Sequence, residues 1–126
     1  ALDQLALTAD VITYEFENVP VATVERLETT HPVRPGSKAL KVAQDRLSEK
    51  TMAQQLGAET ARFAAVNSRA DLDLAIAATG LPALLKTTRL GYDGKGQAKI
   101  MTEADADYAF AAMSCQAASL ESFVDF

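Results

Sequence analysis

Residues 84–100 read LLKTTRLGYDGKGQAKI, and this stretch decides the fold. Two short apolar segments, Ala83 to Thr87 and Ala98 to Met101, flank a loop that holds Gly91, Gly94 and Gly96. Short apolar segments around an Asp93-Gly94 pair predict a β-hairpin. Glycine reaches positive φ cheaply and lets backbone come close to a ligand. Successive amides in such a loop form a concave anion site. Lys86, Arg89, Lys95 and Lys99 fall in this hairpin against one acid, Asp93, in a chain of net charge −5. A basic, glycine-rich tip on an acidic chain points to a small anion, phosphate foremost.

The order of the glycines narrows the choice. G-x-x-G-x-G is not the dinucleotide fingerprint G-x-G-x-x-G, and no helical pattern follows it directly. Gly94-Lys95 is followed by Gly96, so the hydroxyl that a P-loop needs on its metal is missing. What remains is a plain hairpin turn or a flap between two strands that folds over a nucleotide. The local charge favours the flap.

Working outward, Ala61 to Val66 reads as a strand, and Ser68 with Asp71 opens a helix that runs to Thr79. Gly80 and Pro82 end it. The hairpin follows. Thr102 caps a second helix to Cys115, and Leu120 to Phe126 is a last strand. The order β-α-β-β-α-β predicts a split βαβ sandwich of four strands and two helices, an α/β (α+β) fold. Before it, Ala9 to Phe16 reads as a strand, with Glu15 and Glu17 at its end, and Val21 to Glu28 as a short helix. Ser37 caps a longer helix that runs unbroken to about Leu56, with Gly57 beyond it. Arg46 lies on that helix beside Asp45, where an ion pair worth little is the plain alternative.

The bulk properties are those of an ordinary globular domain, 48% hydrophobic and 23% charged over 126 residues. An acidic balance argues against nucleic-acid partners. Cys115 and His31 each stand alone, so a disulfide or a zinc constellation within the chain is excluded. The longest apolar run, Leu74 to Leu85, is interrupted and too short for a bilayer. With no signal-peptide pattern at the N-terminus, the expectation is a cytoplasmic protein without a membrane partner.

K-T-T-R-L-G-Y-D-G-K-G-Q, Lys86 to Gln97, resembles the flap of ATP-grasp enzymes. More narrowly, it is similar to the 5-(carboxyamino)imidazole ribonucleotide synthases, the ATP-dependent carboxylases of purine biosynthesis. Three further stretches agree in order and spacing: D-V-I-T-Y-E-F-E-N-V, Asp10 to Val19; A-Q-D-R-L-S-E-K, Ala43 to Lys50; and L-E-S-F-V-D-F, Leu120 to Phe126. The resemblance covers nearly the whole chain and roughly a third of the family's usual length. It implies three parts. Residues 1–36 end a Rossmann-like N-terminal domain whose opening βα unit would precede Ala1. Residues 37–60 are a linking helix, and residues 61–126 the ATP-grasp small subdomain with its flap.

The resemblance also implies a site. ATP would phosphorylate bicarbonate to carboxyphosphate, which splits to carbon dioxide and phosphate, and the amine of aminoimidazole ribonucleotide captures the carbon dioxide. Lys86 would set its ammonium on the α- or β-phosphate, and Arg46 would contact phosphates. Gly91, Tyr92, Asp93, Gly94, Lys95, Gly96 and Gln97 would close over them. Glu121 would meet the adenine amino group, and backbone of Ser122, Phe123 and Val124 the base edge. Glu15, Tyr92, Asp93 and Lys95 would face the ribonucleotide, unless Asp93 merely shapes the turn and Lys95 is solvated. Mg2+ would accompany ATP, its ligands expected beyond residue 126, so that the chain would be inactive alone; the family tends to form homodimers. The alternatives are another ATP-grasp ligase, of the glycinamide ribonucleotide transformylase or biotin carboxylase type, or a non-catalytic α/β binding module.

Overall fold

The structure is a computed structural model and describes every residue except Tyr92, Asp93, Cys115 and Phe126. Its backbone contacts divide the chain into two compact units, Ala1–Asp45 and Arg46–Phe126.

In the first unit three helices, α1 (Leu2–Ala6), α2 (Val21–Glu28) and α3 (Ser37–Ala43), enclose a small core of Ala6, Val24, Leu27, Val33 and Leu40. The strand expected over Ala9 to Phe16 is reduced to one parallel bridge, Ile12 to Val33. Ile12 donates to Pro32 and accepts from Arg34, and no ladder continues on either side. Alternating apolar residues make a strand only where a neighbour offers backbone groups to pair with. Gly36, not Ser37, is the N-cap of α3. The Ser37 amide is instead met by the Glu28 carboxylate at 2.8 Å.

The helix expected unbroken from Ser37 to Leu56 is two helices, α3 and α4 (Arg46–Gln55). At the break the Gln44 side-chain amide donates to the carbonyls of Glu17 and Val19, each at 2.6 Å. The Arg46 amide leaves the helical ladder and donates to Thr88 O at 2.9 Å. These two commitments end one helix and start the next.

The second unit contains the expected order: β1 (Phe63–Val66), α5 (Arg69–Thr79), β2 (Ala83–Thr87), β3 (Gln97–Ile100), α6 (Ala106–Ala112) and β4 (Ala118–Ser122). The sheet runs β1-β4-β2-β3 with every neighbouring pair antiparallel. Strands β1 and β2 therefore run the same way with β4 between them, and β3 and β4 the same way with β2 between them. This is the split βαβ arrangement, twice over. The last strand, expected over Leu120 to Phe126, begins two residues earlier and ends at Ser122; Phe126 lies outside the described residues. At its end the Ser122 amide donates to Arg62 O, and just past it the Phe123 amide donates to Pro82 O.

Helices α5 and α6 cover one face of this sheet. Val66, Leu72, Ala75, Ile76, Ala83, Leu85, Ile100, Ala106, Ala109, Met113, Ala118 and Leu120 form the core between them. Ser68 caps α5 by accepting from the Asp71 amide at 3.1 Å, and Gly80 closes it at φ +79°. The Asp71 carboxylate accepts from Asn67, one residue before the cap, rather than from Ser68 itself. The helix expected from Thr102 to Cys115 is instead a 3-10 turn, Glu103–Asp105, followed by the shorter α6.

Candidate functional site

Side chains alternate across a strand, and directly paired residues share a face. Leu85 pairs with Leu120 on the helix-covered side. One residue either way, Leu84 pairs with Glu121 and Lys86 with Ser119, which puts Lys86 and Glu121 on the opposite face. Phe63, paired with Glu121 from the other side, joins them. Helix α4 brings Arg46 and Lys50, four residues apart and so on one side of the helix, to the same carboxylate.

Glu121 is the centre of this arrangement, with only 4% of its surface exposed. Arg46 grips it with both arms: Nε donates to Oε1, and Nη2 to Oε2 at 2.9 Å. The ammonium groups of Lys50 and Lys86 each stand 3.4 Å from Oε2. Burial pushes the Glu121 carboxyl upward, but the Arg46 hydrogen bonds and the charges of Arg46, Lys86 and Lys50 outweigh it and hold it below the usual carboxylate range. The Glu121 hydrogen bond raises the Arg46 guanidinium in turn. Three cations around Glu121, with the Glu49 carboxylate also near Arg46, leave an excess of positive charge on a partly covered surface.

The hairpin tip rises from the end of β2. Thr87 N donates to Gly96 O at 2.8 Å, closing the base of the loop. Gly96 adopts φ +70°, and a Cβ there would lie 2.6 Å from Thr87 Oγ1. A side chain there would have to displace Thr87 and hold a left-handed backbone, so the loop base favours glycine. Gly91, Gly94, Lys95, Gly96 and Gln97 are exposed. Tyr92 and Asp93 lie outside the described residues.

Arg46, Lys86 and Glu121 are thus brought together, with Ser122, Phe123 and Val124 continuing from β4. The cations crowd Glu121 Oε2, whereas Oε1 accepts one bond, from Arg46 Nε. The amides of Ser122 and Phe123 are committed, to Arg62 O and Pro82 O. Among the described residues only the Val124 amide of that stretch has no partner. Glu15 belongs to the first unit, where it is exposed. Lys50 escaped the sequence reading, although its spacing from Arg46 on a helix was the available signal. Among the described residues no three His, Cys, Asp or Glu side chains are grouped to hold a metal ion. None of their helices is long and apolar enough to cross a membrane.

Comparison with known proteins agrees with this architecture. Residues 51–126 match the ATP-grasp domain, and residues 1–44 match the ribonucleotide synthetase preATP-grasp domain. The chain is similar to the N5-carboxyaminoimidazole ribonucleotide synthase of Pseudomonas aeruginosa, 50% identical over 99% of this chain and 35% of that one. It is also similar to that of Brucella melitensis, at 46% over 100% and 35%. The chain therefore spans about a third of the length of these relatives. Among solved structures, the N5-carboxyaminoimidazole ribonucleotide synthetase of Thermus thermophilus superposes with a TM-score of 0.88 at 46% identity, over 99% of this chain and 33% of that one. The Staphylococcus aureus N5-carboxyaminoimidazole synthetase complexed with ADP gives 0.92 at 35% identity, over 98% and 33%. The split βαβ sheet, the glycine-rich hairpin and the matching family models agree: this chain belongs to the ATP-grasp family.

Proposed function

We propose that this chain provides the nucleotide-gripping part of an ATP-dependent carboxylating ligase that acts on aminoimidazole ribonucleotide. The observation that carries the reading is the excess of positive charge around Glu121, at the foot of a glycine-rich hairpin. Polyphosphate oxygens are the ligands that such a surface suits, because they meet ammonium groups as point charges and loop amides as donors. The names of the relatives support the substrate. In the proposed reaction a bicarbonate oxygen attacks the γ-phosphorus and ADP leaves. Carboxyphosphate then splits to carbon dioxide and phosphate, and the substrate nitrogen bonds the carbon and loses a proton.

Within that reaction Lys86 neutralises phosphate oxygens, and Gly91 to Gln97 close over them and keep water from the labile intermediate. Tyr92, Asp93, Lys95 and Glu15 face the ribonucleotide. Ser122 to Val124 border the adenine, with the Val124 amide as its donor to the base. Among the described residues no three His, Cys, Asp or Glu side chains are grouped as a ligand set for magnesium, which would help neutralise the phosphates when bound. The cytoplasm and a homodimer belong to the same reading and rest on the family resemblance.

The test is calorimetric titration of the chain with ATP. Charged hydrogen bonds contribute about 1.5–3 kcal/mol, so Lys86→Met is expected to weaken ATP about 10–100-fold. Unchanged affinity in that variant, or affinity for AMP equal to that for ATP, contradicts the reading.

A further inference from the structure

The sharing of Glu121 Oε2 is uneven in a way that assigns different jobs to its two lysines. Arg46 Nη2 donates to that oxygen at 2.9 Å, and Lys50 and Lys86 both stand at 3.4 Å. A carboxylate oxygen offers about two lone-pair sites. Three donors crowd it, so one cation can leave without orphaning the buried charge.

The surroundings say which one leaves. The side chain of Lys50 is 14% exposed, and its ammonium sits 5.4 Å from the centre of the Phe63 ring, the neighbour of Glu121 across β1 and β4. A cation over an aromatic face gains a second attraction that does not depend on the carboxylate. Lys86 has no such second hold among the described residues. Its side chain is 22% exposed, and it lies one residue before Thr87, where the glycine-rich hairpin begins. Lys86 is therefore the cation positioned to turn toward an arriving anion, and Lys50 the one that stays.

We propose that Lys50 is a positioning residue: it keeps Glu121 neutralised so that Lys86 can give its ammonium to a phosphate of the bound nucleotide. The inference rests on the nucleotide-binding reading above and adds a residue and a division of labour to it. Without the Lys50 charge, Glu121 competes with the phosphate for Lys86. Lys50 then affects binding only through Glu121, whereas Lys86 affects it directly.

The experiment is a double-mutant cycle on ATP affinity in this chain, with Lys50→Met and Lys86→Met each measured with and without Glu121→Gln. Lys50→Met is expected to weaken ATP about fivefold or more when Glu121 is present and less than about twofold when position 121 is Gln. Lys86→Met is expected to weaken ATP in both backgrounds. The dependence of affinity on salt gives an independent readout that does not require the Gln variant to fold. Lys86→Met should make it shallower, because an exposed charge contact with the ligand is screened. Lys50→Met should leave it unchanged, and Lys50→Arg should restore affinity. A Lys50→Met loss that persists in the Gln background and comes with a shallower salt dependence makes Lys50 a direct ligand and overturns the proposal, as does the absence of any loss. Failure of the unaltered chain to bind ATP overturns the nucleotide-binding reading itself and this inference with it.

Discussion

Burying a carboxylate costs several kcal/mol unless cations meet it, and Glu121 is met by three. Removing the acid leaves Arg46, Lys50 and Lys86 to repel one another, so Glu121→Ala is expected to cost about 3 kcal/mol in a urea melt. The acid limb follows from the same contacts. The folded carboxyl lies below its ordinary value of 4.5, so the unfolded chain binds the proton more readily. The contribution of Glu121 is full above that ordinary value and is lost as pH falls through the lower folded one. Stability should therefore decline on acidification below pH 4.5, and Glu121→Gln should flatten that limb. A Gln variant whose acid limb matches that of the unaltered chain contradicts the assignment. Gly96 and Gly57 make a matched pair, at φ +70° and +84°. Gly57→Ala meets no atom within 4 Å and should cost only the left-handed conformation, about 1–2 kcal/mol, while Gly96→Ala also strikes Thr87 Oγ1 and should cost more. Equal losses in the two melting curves would remove the argument for a sterically closed loop base.

At the scale of elements, periodicity was legible where local signals and burial agree. Val21 to Glu28, the helix closed by Gly80, and the strand from Ala83 to Thr87 lie where their patterns set them. Ser68 is a true cap, and Ser68→Ala should lower stability by about 1 kcal/mol, seen as a lower Tm with an unchanged sheet signature in circular dichroism. What was not legible depended on partners distant in sequence. The pattern of Ala9 to Phe16 reads as a strand, yet backbone pairing reaches only Ile12. The helical pattern through Gln44 and Asp45 continues, yet Gln44 turns to Glu17 and Val19, and the Arg46 amide to Thr88. The cation cluster was half visible. Lys86 stands out as a lysine that ends an apolar run, but the convergence of α4 with β4 is a tertiary fact that places Lys50 and commits Glu121.

At the scale of the molecule, two units with separate cores make up the chain. They correspond to the two matched family domains, 1–44 and 51–126. The larger one holds a two-layer sandwich in which the helix-covered face supplies stability and the other face supplies charge. That division of faces lets one packed sheet present a positively charged surface on the side its core does not use. The most direct measurement of the central claim is amide hydrogen exchange across residues 83–101, with and without saturating ATP. The account predicts slower exchange at Gly94, Lys95 and Gly96 and at the end of β2, and no change in α5. Saturated binding that leaves exchange in the hairpin unchanged would contradict it.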